Sequence, residues 1–199
     1  MQQRTGRRVL LSGGAALMSA GAFGLAWRAG RSSRVRDALG LGAPPQLQDA
    51  AALKPADRPA VVADAALLDA AGTAHTLSSF AGSGIVLNFW ATWCQPCVAE
   101  MPALEGLARR VAGEKIVVVA ASSDRGGAAA VNRFFAAHGI DGLAVWLDPD
   151  GAAGRALGTG GITPTTVIID RTGRERARLE GPALWASDAM VAQVRRLAG

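Results

Sequence analysis

Ile85-Val86-Leu87-Asn88-Phe89-Trp90-Ala91-Thr92-Trp93-Cys94-Gln95-Pro96-Cys97 is the stretch that decides the fold. Its first six residues are a nearly continuous apolar run, the pattern of a strand buried in the middle of a mostly parallel sheet. From Gln95 to about Ala112 the apolar residues Val98, Met101, Leu104, Leu107, Ala108 and Val111 recur at helical spacing. Pro96 falls in the first turn of that helix, where a missing N–H costs little, and Pro102 falls inside it, where a kink is expected. A strand thus hands Cys94 to a helix N-terminus, where unpaired N–H groups and the helix dipole favour a thiolate. Cys97 follows one turn later on the same face.

These are the only two cysteines of the chain. A purely structural disulfide usually links distant parts of a chain, because short loops constrain the unfolded state least. A zinc site needs about four ligands, and neither a second cysteine pair nor a metal-ligand spacing of His75 and His138 is present. A two-sulfur Cu(I) site stays open, since thiolates suit that ion. Peroxiredoxin chemistry calls for P-x-x-x-T-x-x-C, whereas Thr92 stands only two places before Cys94. Thiol–disulfide exchange through a mixed disulfide is what the spacing supports best. No metal is expected, and the redox group is the Cys94–Cys97 pair itself.

The net charge of +5 misleads. Residues 1–54 carry a net +6, while residues 55–199 carry −1, so the folded part is not basic and no nucleic-acid footprint is present. The arginines bracket a targeting segment instead. Arg4, Arg7 and Arg8 precede the uncharged run Val9 to Trp27, and Arg28, Arg31, Arg34 and Arg36 follow it. As a helix rising about 1.5 Å per residue, that run just crosses a hydrocarbon core of about 30 Å. It is rich in Gly, Ala and Ser, and Gly6-Arg7-Arg8-Val9-Leu10-Leu11 is similar to a twin-arginine export signal. Ala20-Gly21-Ala22 has a cleavage-like pattern but lies inside the run, so residues 1–36 are expected to form an uncleaved anchor, export with cleavage being the alternative. Residues 37–60, with Pro44-Pro45, Pro55 and Pro59, read as a linker, and residues 61–199 as the domain.

Along the domain, Val61 to Ala63, Ala66 to Leu68 and Thr73 to Leu77 suggest short strands or a hairpin. Ile116 to Ala121 is a buried strand, Ala128 to His138 a helix, Ala144 to Leu147 a strand, and a short helix runs through Leu157. Thr165 to Ile169 is a strand, Asp170-Arg171-Thr172-Gly173 a hairpin turn, and the charge-rich Arg174 to Glu180 an exposed edge strand. Trp185 to Leu197 reads as a closing amphipathic helix with Met190, Val191, Val194 and Leu197 inward, and Trp185 as packing.

Asn88 to Cys97, Glu100-Met101-Pro102, Gly161-Ile162-Thr163-Pro164-Thr165-Thr166 and the Ile169-Asp170 turn with Gly173 together resemble the thioredoxin superfamily, and within it the membrane-tethered TlpA/ResA-type branch. The resemblance covers about residues 61–199. It implies an α/β, thioredoxin-like fold: a mixed central β-sheet flanked by helices, with an extra β-α insertion around residues 122–147 beside the N-terminal membrane or export helix. Thioredoxin itself usually has Asp where Asn88 stands.

On that basis Cys94 is the nucleophile, Cys97 resolves the mixed disulfide, and Gln95-Pro96 tunes the potential. Because Asn88 cannot titrate, Glu100 is the carboxylate available to take a proton from Cys97; an ordinary solvated glutamate is the alternative. The resemblance implies a cis Thr163–Pro164 peptide that exposes the Thr163 backbone to an extended substrate by strand addition, against a trans proline that merely starts a strand. Trp93 is an exposed contact for partners. The expected protein is a monomeric, membrane-anchored, periplasmic thiol:disulfide oxidoreductase. Its clients are proteins of cytochrome c maturation or copper-centre assembly for a terminal oxidase, and its electrons come from a membrane thiol carrier. A disulfide-forming oxidase and a copper-binding assembly factor are the other readings.

Overall fold

The structure, a computed structural model, describes residues 45–199. The expected membrane helix and twin-arginine segment lie outside them. Among the described residues, no helix is long and apolar enough to cross a membrane.

The apolar run becomes β4 (Gly84–Trp90), with every residue buried. It pairs in parallel with β5 (Ile116–Ser122) and antiparallel with β7 (Thr165–Ile169), so the sheet is mixed, as expected. Beyond β5 lie β6 (Trp146–Leu147) and then the hairpin of β2 (Ala66–Asp69) and β3 (Ala74–Thr76). On the other side, β8 (Glu175–Glu180) pairs with β7, and β1 (Lys54–Pro55) pairs with β8.

Period-two alternation along β4 splits the interior into two layers. Val86 and Trp90 pack with the helices α1 (Gln95–Arg110), α2 (Gly127–His138) and α4 (Asp188–Ala198), through Met101, Leu104, Phe134 and Val191. Ile85, Leu87 and Phe89 face the other layer, with Leu67, Val167, Leu157 and the short helix α3 (Ala152–Ala156). Asn88 shares the face of Val86 and Trp90, which turns its side chain toward α1.

Four expectations need correction. First, Arg174 to Glu180 is not an edge: Lys54 pairs with Arg178, Pro55 with Ala177, and Val61 bridges Arg174. Second, and for the same reason, residues 48–56 are not linker. Ala50 and Leu53 are buried in the core, and the shortness of the alanine-rich segment and the prolines around it hid this in the composition. Third, Val61 to Ala63 makes only that isolated bridge. Fourth, α4 starts at Asp188, because Ser187 is its N-cap, accepting from the Met190 N–H at 3.3 Å; Trp185 therefore belongs to the loop before it.

Gly84 begins β4 directly beneath the end of α4, where a Cβ would run into the Ala198 carbonyl. Gly84→Ala is therefore expected to cost about 1–3 kcal/mol, measured by urea unfolding, because strand and helix must part to admit one methyl.

Candidate active site at the Cys94–Cys97 disulfide

The loop from β4 to α1 is pinned before it reaches the sulfurs. The Thr92 N–H donates to Asp124 Oδ2 at 2.8 Å and its hydroxyl to Oδ1 at 2.6 Å, while the Ser122 hydroxyl donates to Oδ2 at 2.7 Å. The Cys94 N–H then closes a turn onto the Ala91 carbonyl at 3.1 Å. Trp93, between the clamp and the sulfur, is 71% exposed. Asp124→Ala strands three donors and is expected to lower stability by about 1–3 kcal/mol in urea unfolding, with Asp124→Asn losing less. Nothing in the sequence singled out Asp124, since its partners come from two different strand ends.

Cys94 and Cys97 are joined in a disulfide, with Cα atoms 5.2 Å apart. Cys94 is the N-cap of α1, and its sulfur accepts the Cys97 N–H at 3.3 Å. An anionic sulfur there gains both that hydrogen bond and the helix dipole. Cys97 is wholly buried, whereas Cys94 retains 6% exposure and is the sulfur nearer the surface. Gln95 is exposed and Pro96 half-buried in the first turn.

Thr163–Pro164 is a cis peptide. It leads into β7 at Thr165, which pairs with Phe89, and so reaches the sheet at the end from which β4 delivers Cys94. Pro164 is buried, its carbonyl accepting the Gly181 N–H at 2.8 Å. Thr163 is half-buried beside the exposed Ile162. A cleft of about 470 Å³ on this side is lined by Trp93, Thr163, Gly160, Gly161, Arg155 and Phe89.

Glu100 is fully buried rather than solvated. Its Oε2 accepts the Ala183 N–H at 2.9 Å and the Trp185 indole N–H at 2.7 Å, and its Oε1 accepts from Asn88 Nδ2 at 2.9 Å. Burial drives its pKa up to about 7, against the opposing pull of the Trp185, Ala183 and Asn88 hydrogen bonds. Because Oε2 already takes two N–H groups, Oε1 is the oxygen left to hold a proton. It faces Asn88, whose Nδ2 also donates to Thr166 Oγ1 at 2.9 Å and whose Oδ1 is buried without a partner. Turned over, that amide offers Oδ1 as the acceptor for a protonated Glu100.

Among the described residues no group of three or more His, Cys, Asp or Glu could hold a metal ion. His75 bonds Asp69 at 2.9 Å in the β2–β3 hairpin and has no place at the site. The sequence missed Trp185 and Ala183 as the anchors of Glu100. The available signal was Ser187-Asp188, which marks a helix start and leaves Trp185 in a loop free to turn inward.

The profile of the Redoxin family matches residues 52–193. This chain belongs to the Redoxin family. Within it, this Redoxin protein is of the TlpA/ResA type of the thioredoxin superfamily. It is 32% identical over 120 residues to the thiol-disulfide oxidoreductase ResA of Geobacillus thermodenitrificans (strain NG80-2), a match covering 59% of this chain and 66% of that protein, just under two thirds of its length. A Chlorobium tepidum structure, named as a thiol:disulfide interchange protein of the DsbE type, superposes with a TM-score of 0.61 at 28% identity, covering 72% of this chain and 99% of the other. The exposed lipoprotein thioredoxin Etrx1 of Streptococcus pneumoniae strain TIGR4 gives 0.51 at 29% identity over 68% of this chain and 100% of the other. These likenesses bear out the thioredoxin-like α/β fold.

Proposed function

We propose that this Redoxin-family protein is a thiol:disulfide oxidoreductase that reduces disulfides of client proteins on the extracytoplasmic face of a membrane. The observation that carries this is the Cys94–Cys97 disulfide at a helix N-terminus, backed one turn later by the buried Glu100. In the reduced protein the Cys94 thiolate attacks one sulfur of a client disulfide, forming a mixed disulfide and expelling the client's other sulfur as a thiolate. Cys97 gives its proton to the Glu100 carboxylate, and its sulfur attacks Cys94. The second client sulfur leaves, the Cys94–Cys97 disulfide forms, and two electrons have passed to the client. Glu100, with a pKa near 7, is placed to move that proton at neutral pH.

Trp93, Gln95, Pro96 and the Thr163 backbone ahead of Pro164 form the surface for an extended client segment. Resemblance to the TlpA/ResA branch supports clients in cytochrome c maturation or copper-centre assembly. It also supports a membrane thiol carrier as the electron donor and residues 1–36 as the membrane anchor. No cofactor beyond the cysteine pair enters this scheme.

The reduction potential of the Cys94–Cys97 couple, measured against glutathione, tests the direction. A value near the thioredoxin end, roughly −270 mV, is expected; one near −120 mV makes the protein an oxidant and overturns the reductant role. Anaerobic Cu(I) titration of the reduced chain is expected to show no tight stoichiometric binding; such binding would point to a copper factor instead.

A further inference from the structure

Gln48, in the stretch expected to be linker, touches both supports of the redox site. Its N–H donates to the Pro182 carbonyl at 2.8 Å and its carbonyl accepts the Leu184 N–H at 2.8 Å, so it brackets Ala183 as a short parallel bridge. Successive N–H groups of an extended chain point to opposite sides. With residues 182 and 184 bonded to Gln48, the Ala183 N–H points the other way, to Glu100 Oε2 at 2.9 Å. The Gln48 side chain donates to the Glu180 carbonyl at 2.7 Å. It lies over Gly181, so close that a Cβ there would fall 2.6 Å from Gln48 Nε2. Gly181 in turn holds the Pro164 carbonyl. Behind Gln48, Ala50 and Leu53 are buried in the core and fix the strap in place.

We propose that Gln48 is a positioning residue of the redox site: it fixes residues 181–185 so that the Ala183 N–H and the Trp185 indole converge on one oxygen of Glu100. Anything that draws the leading segment off the fold then weakens both hydrogen bonds while Trp185, itself wholly buried, stays in the core. Glu100 loses donors but not burial, and holds its proton more tightly. The groups hydrogen-bonded to Glu100 are Asn88 from β4 and Ala183 and Trp185 from the loop, with Thr166 of β7 reached through Asn88, and Cys97 stands three residues before it on the same helix. None is charged, and Cys97 does not titrate while it is in the disulfide. On the strap side Gln48 shares a cleft with Lys54, Asp57, Glu175, Arg178 and Glu180.

The test is the pH titration of the Glu100 carboxyl carbon by NMR in the oxidised full chain. Gln48→Pro removes the N–H to Pro182 and the side-chain amide; it is expected to raise the midpoint by about half a unit or more, roughly threefold tighter proton binding. Gln48→Ala removes only the side-chain bond to Glu180 and is expected to give a smaller rise, which keeps the test open if the proline variant fails to fold. Trp185→Phe, which deletes one donor outright, calibrates the effect with a rise of its own. A midpoint that stays put or falls in both Gln48 variants while Trp185→Phe rises overturns the proposal, and so does a Trp185→Phe chain that shows no rise. The consequence for turnover rests on the proton-carrying role proposed for Glu100; the titration does not, so failure to reduce clients leaves this result readable.

Discussion

Cys94→Ser is expected to abolish exchange with a disulfide substrate, by about a thousandfold or more, because a serine hydroxyl neither ionises near neutral pH nor forms the S–S bond. Cys97→Ala is expected to behave differently: one equivalent of substrate is captured on Cys94 and turnover stops there. The asymmetry follows from placement, since Cys94 caps α1 with some exposure while Cys97 is sealed beneath it. Stopped-flow kinetics with a small disulfide, followed by mass spectrometry of the adduct, separates the two. Appreciable turnover by Cys94→Ser would mean that Cys97 can attack alone, which the burial forbids.

Glu100 makes stability depend on pH. Its folded pKa is raised from 4.5 to about 7, so between those values the folded chain keeps a proton that the unfolded chain has released. The stability of the protonated form is fully present below about pH 4.5 and is lost as pH rises through 7. At 1.36 kcal/mol per pKa unit, the loss is about 3 kcal/mol by pH 8. Glu100→Gln is expected to be flat over the same range: its carbonyl can accept from Ala183 and Trp185, and its amide can donate to the orphaned Asn88 Oδ1. Denaturant melts of oxidised wild type and variant between pH 5 and 8 check this. Parallel declines would show that Glu100 is not the group responsible.

How much of this was legible in the sequence depended on whether the information was local. The buried strand at Ile85 to Trp90, the helix after it and the cysteines at its first turn are consecutive and periodic, so the sheet centre and the sulfurs could be read directly. Glu100 is legible locally as the carboxylate three residues after Cys97, whereas the cis Thr163–Pro164 peptide comes from resemblance, because only the fold brings residue 164 to the end of β4. What hid was non-local and small. Lys54–Pro55 is a two-residue strand with no alternation to read, yet it covers β8 and turns an expected edge into an interior strand. Trp185 packs in the core as its bulk implies, but an indole's apolar bulk says nothing about where its one N–H points. In the sequence Asn88 stands out only for not being Asp; its role as the hydrogen-bond bridge between Glu100 and Thr166 needs two strands and one helix in place.

The most direct test of the redox site is site-resolved alkylation of the fully reduced chain by iodoacetamide across pH, with peptides assigned by mass spectrometry. Cys94 is expected to react first, with a midpoint well below the roughly 8.5 of a free thiol, and Cys97 to stay protected. Two sulfurs alkylated equally slowly, both only at alkaline pH, would contradict the account.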